Sequence, residues 1–218
     1  MSILFVLLMF LLVLTITYFR GRAEAVPARV ALPPPRPQTR RELGLEIPVN
    51  YCFHPAHTWV VREGRESARV GVDSFTTQLL DKVDAIVVTA EQRWVRQGQK
   101  LLTLTSGGES LELVSPLEGV VTAVNPEVLK NPELLLREPY KGGWVCTIKS
   151  PEIDINLRNL VQGSMVAPWM QNSVSRLTRM LAPGDGVRAQ DGGMPLQGTL
   201  RSISADMRRK VVAEFFLT

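Results

Sequence analysis

The segment that decides the fold, residues 100–114, reads KLLTLTSGGESLELV. Polar and apolar residues alternate on both sides of Gly107-Gly108, with the period of two that is typical of β-strands. Glycine reaches positive φ angles without steric cost, so Ser-Gly-Gly between two such runs predicts a tight hairpin turn. A glycine-rich phosphate-binding loop would need a helix directly after it, whereas Leu111 to Val114 is typical of a strand.

The same alternation, interrupted by turn residues, predicts a small antiparallel β domain with flanking helices. The predicted strands are 58–62, 68–72, 84–88, 100–105, 110–114, 119–125 and 144–149. Short helices are predicted at 74–81 and 126–131, and apolar residues at helical spacing predict a longer helix at 171–181. The predicted fold class is therefore mainly β with flanking helices, an α+β arrangement.

Five stretches of this region carry a family resemblance: YCFHPAHTWV at 51–60, VGVDSF at 70–75, VRQG at 95–98, SPLEGVVTAVN at 115–125, and NPEL with PYKGGW between 131 and 144. Together they resemble the glycine cleavage system H protein family over residues 50–180. This resemblance implies a lipoyl- or biotinyl-like barrel-sandwich hybrid. It also implies a carrier function, in which a lysine at the hairpin tip holds a lipoyl arm.

The lysine that the family uses is missing from this sequence. The family places it in Glu-Ser-Val-Lys-Ala, and ungapped counting from Gly98 and from Pro116 leads to Gly108 in both directions. Ser106, Gly107 and Glu109 complete the predicted tip. The resemblance implies lipoate as the cofactor. Because glycine has no amine to acylate, no cofactor is predicted for this chain. Gly108 therefore marks a degenerate lipoyl-attachment position.

The N-terminal residues predict a membrane anchor. Residues 3–19 form an apolar run without a charge, at the short end of the length that a membrane helix needs. A secretory signal peptide is the competing interpretation, but it would have a basic residue before the run. Here the arginines follow the run, which favours an uncleaved single-pass anchor with the domain in the cytoplasm.

A proline- and arginine-rich tether is predicted after the anchor. Between Arg20 and Arg41 there are six arginines and one acid, Glu24, and this excess explains the net charge of +4. The prolines favour extended polyproline conformations, and the arginines can contact anionic lipid heads. A nucleic-acid partner is not predicted, because no aromatic residue lies among these arginines.

The chemistry-bearing residues do not form a catalytic or metal constellation. The two cysteines, Cys52 and Cys146, lie in apolar, strand-like surroundings that favour buried thiols. No serine or cysteine lies at a recognisable catalytic spacing from His57. Asp191 is a single acidic residue among glycines, which is too few ligands for a calcium ion. No catalytic residue and no metal-binding residue is therefore predicted, and the protein is not expected to be an enzyme.

The C-terminal region lies beyond the resemblance. Residues 183–186 and 191–193 predict a loop, and residues 205–216 predict an amphipathic helix whose apolar face includes Met207, Val211 and Phe215. This helix could dock on the domain. Its basic residues beside aromatic ones would also suit a partner or a membrane surface.

The sequence thus divides into a transmembrane anchor (1–22), a tether (23–49), an H-protein-like domain (50–181) and a C-terminal loop and helix (182–218). We expect a membrane-anchored, non-lipoylated module that acts as a binding or scaffold protein. Its protein partner would be related to the enzymes that handle lipoyl groups. A functional lipoyl carrier of the aminomethyl group and a lipoyl-like adaptor of an export system are the alternatives.

Overall fold

The computed structural model describes residues 2–23, 39–42, 44–181 and 196–216 of the chain. The chain divides into two compact units, residues 1–36 and residues 37–218. The first unit contains helix α1, Ser2–Ala23, in which the side chains of residues 5–15 are exposed. Within the residues just given, no helix combines the length and the apolar character that crossing a bilayer requires. The predicted transmembrane anchor is not confirmed and stays a prediction.

The second unit is built on antiparallel strands that form three sheets in the described residues. A six-stranded sheet has the order β3-β4-β5-β11-β10-β7, a three-stranded sheet has the order β6-β8-β9, and β1 and β2 form a separate pair. Their bounds are β1 Thr39–Glu42, β2 Leu45–Pro48, β3 Cys52–Phe53, β4 Thr58–Arg62, β5 Ser67–Val72, β6 Ala85–Val88, β7 Trp94–Val95, β8 Lys100–Ser106, β9 Glu109–Val114, β10 Gly119–Val124 and β11 Cys146–Lys149.

Helices connect and flank these sheets. They are α2 Ser74–Leu79, α3 Pro126–Lys130, α4 Glu133–Arg137, α5 Ile153–Arg158, α6 Val166–Leu181, α7 Thr199–Ser202 and α8 Ala205–Phe216, with a 3₁₀ turn at Gly163–Met165 before α6. The predicted mainly β fold with flanking helices is confirmed. The loop predicted at 183–186 and 191–193, and most of the predicted tether, lie outside the described residues.

One hydrophobic core joins the two larger sheets. Trp59 on β4 and Leu104 and Leu113 on the β8–β9 hairpin are fully buried within it. The indole Nε1 of Trp59 donates a hydrogen bond to the carbonyl of Val72 at 2.9 Å, so the polar atom of this buried ring is satisfied. Gly71 lies under the indole, where a Cβ atom would come within 2.3 Å of the ring. The core therefore depends on glycine at that position.

The end of the predicted tether, residues 23–49, is folded in the structure. Residues 39–42 and 45–48 form the two strands of the β1–β2 hairpin, in which Thr39 pairs with Pro48. Leu45 and Ile47 of β2 are buried in the core, and the hydroxyl of Ser74 donates to the carbonyl of Glu46 at 2.8 Å. Residues 39–42 and 44–48 thus belong to the folded unit, because Leu45 and Ile47 contribute to its core.

The C-terminal segment docks on the same unit. Val211, Phe215 and Phe216 of α8 are buried in the common core, and α8 packs against α6 and β9. The Arg176 side chain on α6 pairs with Glu214 of α8, and the backbone N–H of Gly198 donates to the carbonyl of Gln78 at 2.9 Å. Of the alternatives for the predicted amphipathic helix, the structure therefore shows docking within the chain.

Candidate functional site

The β8–β9 hairpin ends in a two-residue turn. Ser106 pairs with Glu109 as the last pair of the ladder, which leaves Gly107 and Gly108 at the apex. Their φ angles are 57° and 83°, and both residues are exposed. Positive φ at both central residues characterises the type I′ turn, whose twist matches that of the flanking strands. The structure thus brings all four predicted tip residues together at one exposed apex.

Crowding does not explain why this apex is glycine. A Cβ atom built on Gly107 or on Gly108 would meet no other atom within 4 Å. The space would accommodate a longer side chain, and the only cost would be the positive φ angle. The apex therefore has room for a longer side chain, yet Gly107 and Gly108 provide no side-chain amine.

Lys82 lies beside the apex, although it belongs to the loop that precedes β6. Its Nζ lies 2.6 Å from Oδ1 of Asp84, and Oδ2 of Asp84 accepts a hydrogen bond from the backbone N–H of Gly107 at 2.7 Å. The hydrogen bond from Lys82, followed by the one from Gly107, holds the pKa of the Asp84 carboxyl below its usual value. The hydrogen bond with Asp84 also raises the pKa of Lys82. Asp84 therefore links the loop that precedes β6 to the backbone of the apex.

The other lysines of the domain lie away from the apex. Lys100 begins β8 and pairs across the ladder with Val114, at the opposite end of the hairpin, where its ammonium group forms an ion pair with Glu112. The rest lie on α3, in the turn after α4 and at the end of β11, namely Lys130, Lys141 and Lys149. Lys100 is the lysine nearest to the apex along the chain, whereas Lys82 approaches the apex in space through Asp84.

The C-terminal segment borders the hairpin tip. The guanidinium group of Arg208 on α8 donates to Oε1 of Glu109 at 2.8 Å and, through Nε, to the carbonyl of Leu200 at 2.7 Å. Arg201 forms an ion pair with Asp81 at 3.0 Å, in the loop that also contains Lys82. The tip is thus tied to helices that follow the H-protein-like region in sequence.

His57 lies in the interior and not at the tip. Its Nδ1 is 2.7 Å from Oδ2 of Asp73, and both side chains are buried. The imidazole stacks between Phe75 and Trp169, with ring centroids 4.2 and 4.7 Å away, and Asp73 caps α2 by accepting from the N–H of Thr76 at 2.9 Å. This geometry gives His57 a structural role in fixing the start of α2.

Comparison with known proteins places the chain in a family. The model of the glycine cleavage H-protein family matches residues 51–173. The glycine cleavage system H protein of Aliivibrio salmonicida is 31% identical over 111 residues, which is 51% of this chain and 87% of that protein. The H protein of Nitratidesulfovibrio vulgaris is 31% identical over 105 residues, covering 48% of this chain and 82% of that protein.

A solved structure, that of a glycine cleavage system H protein from Mycobacterium marinum, aligns with a TM-score of 0.48 and 17% identity. The alignment covers 58% of this chain and 98% of that one. The family model spans more than half of the chain, and it includes the whole hairpin and the His57–Asp73 pair. The chain therefore belongs to the glycine cleavage H-protein family.

Proposed function

We propose that this protein is a non-lipoylated member of the H-protein family that acts as a binding module and not as a swinging-arm carrier. The observation that carries the proposal is the position of Gly108 at the apex of the β8–β9 turn. A swinging arm needs an exposed side-chain amine at the point that a lipoyl-attaching enzyme recognises. Neither residue of this turn has one.

A folded domain without an arm retains the surface through which a carrier would be recognised. The core and the hairpin are intact here, and the ladder pairs residue for residue from Leu102 to the tip. We propose that this surface binds a protein related to the enzymes that handle lipoyl groups. In that role the module would position or regulate its partner, and it would have no catalytic residues of its own.

The test is lipoylation in vitro with a lipoate ligase and lipoate, read by intact mass. The wild-type protein is expected to stay unmodified, whereas Gly108→Lys, which adds the missing amine at the apex, is expected to gain a lipoyl group. Ser110→Lys, an exposed position on β9 below the apex, is the matched control and is expected to stay unmodified. Modification of the wild-type protein would contradict the proposal.

One observation favours a second candidate, a functional carrier of the aminomethyl group modified at Lys82. The link from Lys82 through Asp84 to Gly107 places an ammonium group beside the apex. The same link weighs against this candidate, since the ion pair with Asp84 holds the ammonium group of Lys82 against the domain and not at the apex. If the wild-type protein is lipoylated, Lys82→Arg should abolish the modification and Lys100→Arg should leave it unchanged.

We also propose that the protein is attached to a membrane, with the domain in the cytoplasm. Support comes from the sequence: the uncharged apolar run at residues 3–19 and the six arginines from Arg20 to Arg41. The protein should then remain with the membrane fraction after alkaline extraction, and a variant lacking residues 2–22 should be released. Release of the full-length protein by the same treatment would contradict membrane attachment.

A further inference from the structure

A cavity of about 750 Å³ lies beside the hairpin tip, on the side bordered by the C-terminal helices. One wall is the β8–β9 hairpin, another is the loop that follows α2, and the third is formed by α7 and α8. Pockets that bind small molecules typically have volumes of about 300–1,000 Å³. The volume of the cavity lies within this range, so the cavity is large enough for a ligand.

The interior of the cavity is apolar. Leu104 and Leu111 contribute from the hairpin, Leu79 from α2, and Leu200 and Val212 from the C-terminal helices. Two small, exposed residues of α8, Ala205 and Ala213, also line the cavity, and their short side chains leave space that larger ones would fill. Leucine and valine side chains form no hydrogen bonds, so this interior suits an alkyl chain.

Charged side chains line the rest of the cavity. The cations are Lys82, Arg201, Arg208 and Arg209, and the carboxylates are Asp81, Asp84 and Glu109. Each of these carboxylates pairs with one lining cation: Arg201 with Asp81, Lys82 with Asp84, and Arg208 with Glu109. Arg209 is the cation left over, because its partner, Asp206, does not line the cavity.

The Arg209–Asp206 pair can be exchanged at little cost. Its side chains are 77% and 78% exposed, and ion pairs of that kind contribute only about 0–1 kcal/mol. A carboxylate that reached the cavity mouth could therefore recruit the guanidinium group of Arg209. The charge arrangement thus selects an anionic end group on a ligand whose remainder is apolar.

The C-terminal wall follows the segment that the family model matches. That match ends at residue 173, whereas Leu200, Arg209 and Val212 come after it. We propose that the cavity is a binding site for a medium-length alkyl carboxylate, with the chain among the leucines and the carboxylate at Arg209. The proposal does not depend on whether the apex is lipoylated.

Isothermal titration calorimetry of the full-length protein with decanoate tests this site. Binding is expected to weaken by about fourfold for each methylene group removed, so octanoate and hexanoate should bind progressively less tightly. Acetate, which has no chain to bury, should not bind. Decanol, with the same chain and no charge, should bind more weakly than decanoate.

Three variants locate the site. Ala213→Trp fills the cavity and should abolish decanoate binding, whereas Lys210→Trp adds the same ring to α8 at an exposed position that does not line the cavity, and should bind normally. Arg209→Gln should weaken decanoate binding by about five- to tenfold and leave decanol binding unchanged. Equal melting temperatures for the two tryptophan variants would show that both are folded.

Several results would overturn the proposal. If decanoate does not bind, or if it binds Ala213→Trp as tightly as the wild-type protein, the cavity is not an alkyl-binding site. Decanol binding as tight as decanoate would replace the anionic ligand with a neutral one. Because these readouts do not involve lipoylation, their failure is distinguishable from failure of the proposed function.

Discussion

At the scale of single residues, Gly107 and Gly108 determine what the hairpin can do. Their positive φ angles let a two-residue turn close the ladder at Ser106 and Glu109. The same two residues leave the apex without a side chain. The hairpin turn is therefore formed, but the lysine side chain that would hold a lipoyl arm is absent from it. This absence is the physical basis of the proposed loss of carrier function.

The positive φ angle at position 107 limits which residues the turn tolerates. Gly107→Asn should be tolerated, because asparagine is favoured at the first central position of a type I′ turn. Gly107→Val should lower the free energy of unfolding by about 1–2 kcal/mol, since a β-branched residue is strained at the φ angle of 57°. Urea denaturation measures both. Equal stability of the two variants would contradict the assigned turn.

The second prediction concerns pH and rests on His54. Burial, followed by the charge of His57, lowers the pKa of His54 from 6.5 to about 4, and its Nδ1 accepts a hydrogen bond from the N–H of Ala56 at 3.1 Å. Above pH 6.5 the ring is neutral in both states. As pH falls from 6.5 towards 4, the unfolded chain takes up a proton that the folded protein resists, so stability decreases.

His54→Asn keeps an acceptor for the N–H of Ala56 but cannot titrate. Its urea midpoint should therefore fall less steeply than that of the wild-type protein between pH 7 and pH 4.5. Parallel curves for the two proteins would show that His54 does not contribute to the acid sensitivity of the fold.

At the scale of elements, α8 is a structural part of the domain. Phe215 is buried beside His57 and Phe75, with ring centroids 6.0 and 5.1 Å away, and the guanidinium group of Arg176 lies over its ring at 5.2 Å. The C-terminal helix thus completes an aromatic cluster that the β domain begins. It also forms the outer wall of the cavity beside the hairpin tip.

The third prediction tests this role. Phe215→Ala should lower the free energy of unfolding by about 3–5 kcal/mol, because it removes a buried aromatic ring and leaves a cavity. Glu214→Ala, at the neighbouring exposed position, should cost at most about 1 kcal/mol, since it loses only a surface ion pair with Arg176. If the two variants were equally stable, α8 would not be packed as described.

Elements with a clear residue period were predictable from the sequence, and elements fixed by distant contacts were not. Alternation around Gly107-Gly108 predicted β8 and β9 to within one residue, and helical spacing predicted α8. The strand β1, with the sequence TRRE, has no apolar alternation and forms because β2 inserts Leu45 and Ile47 into the core. Helix α4 was missed because three consecutive leucines have no helical period.

The predicted site shows the same limit. The apex residues lie together in sequence, so one hairpin located all of them. Lys82 reaches the tip from the loop before β6, and Arg208 reaches it from α8. The spacing of the residues around them does not predict either contact. Contacts between segments far apart in the chain are set by packing of the whole domain, and local residue patterns do not encode them.

At the scale of the whole molecule, the chain combines an H-protein-family domain with a C-terminal segment that is packed into the same core. This segment borders the hairpin tip and encloses one side of the cavity there. The proposed recognition surface belongs to the family domain, and the proposed ligand site belongs to the face that the C-terminal helices add.

Intact-mass analysis of the full-length protein isolated from its native source shows whether the protein carries a lipoyl arm. We expect a mass without any lipoyl increment, even when lipoate is abundant. A lipoyl-sized increment that maps to one lysine of the domain, with Lys82 the first position to examine, would overturn the proposed binding module and restore the carrier function.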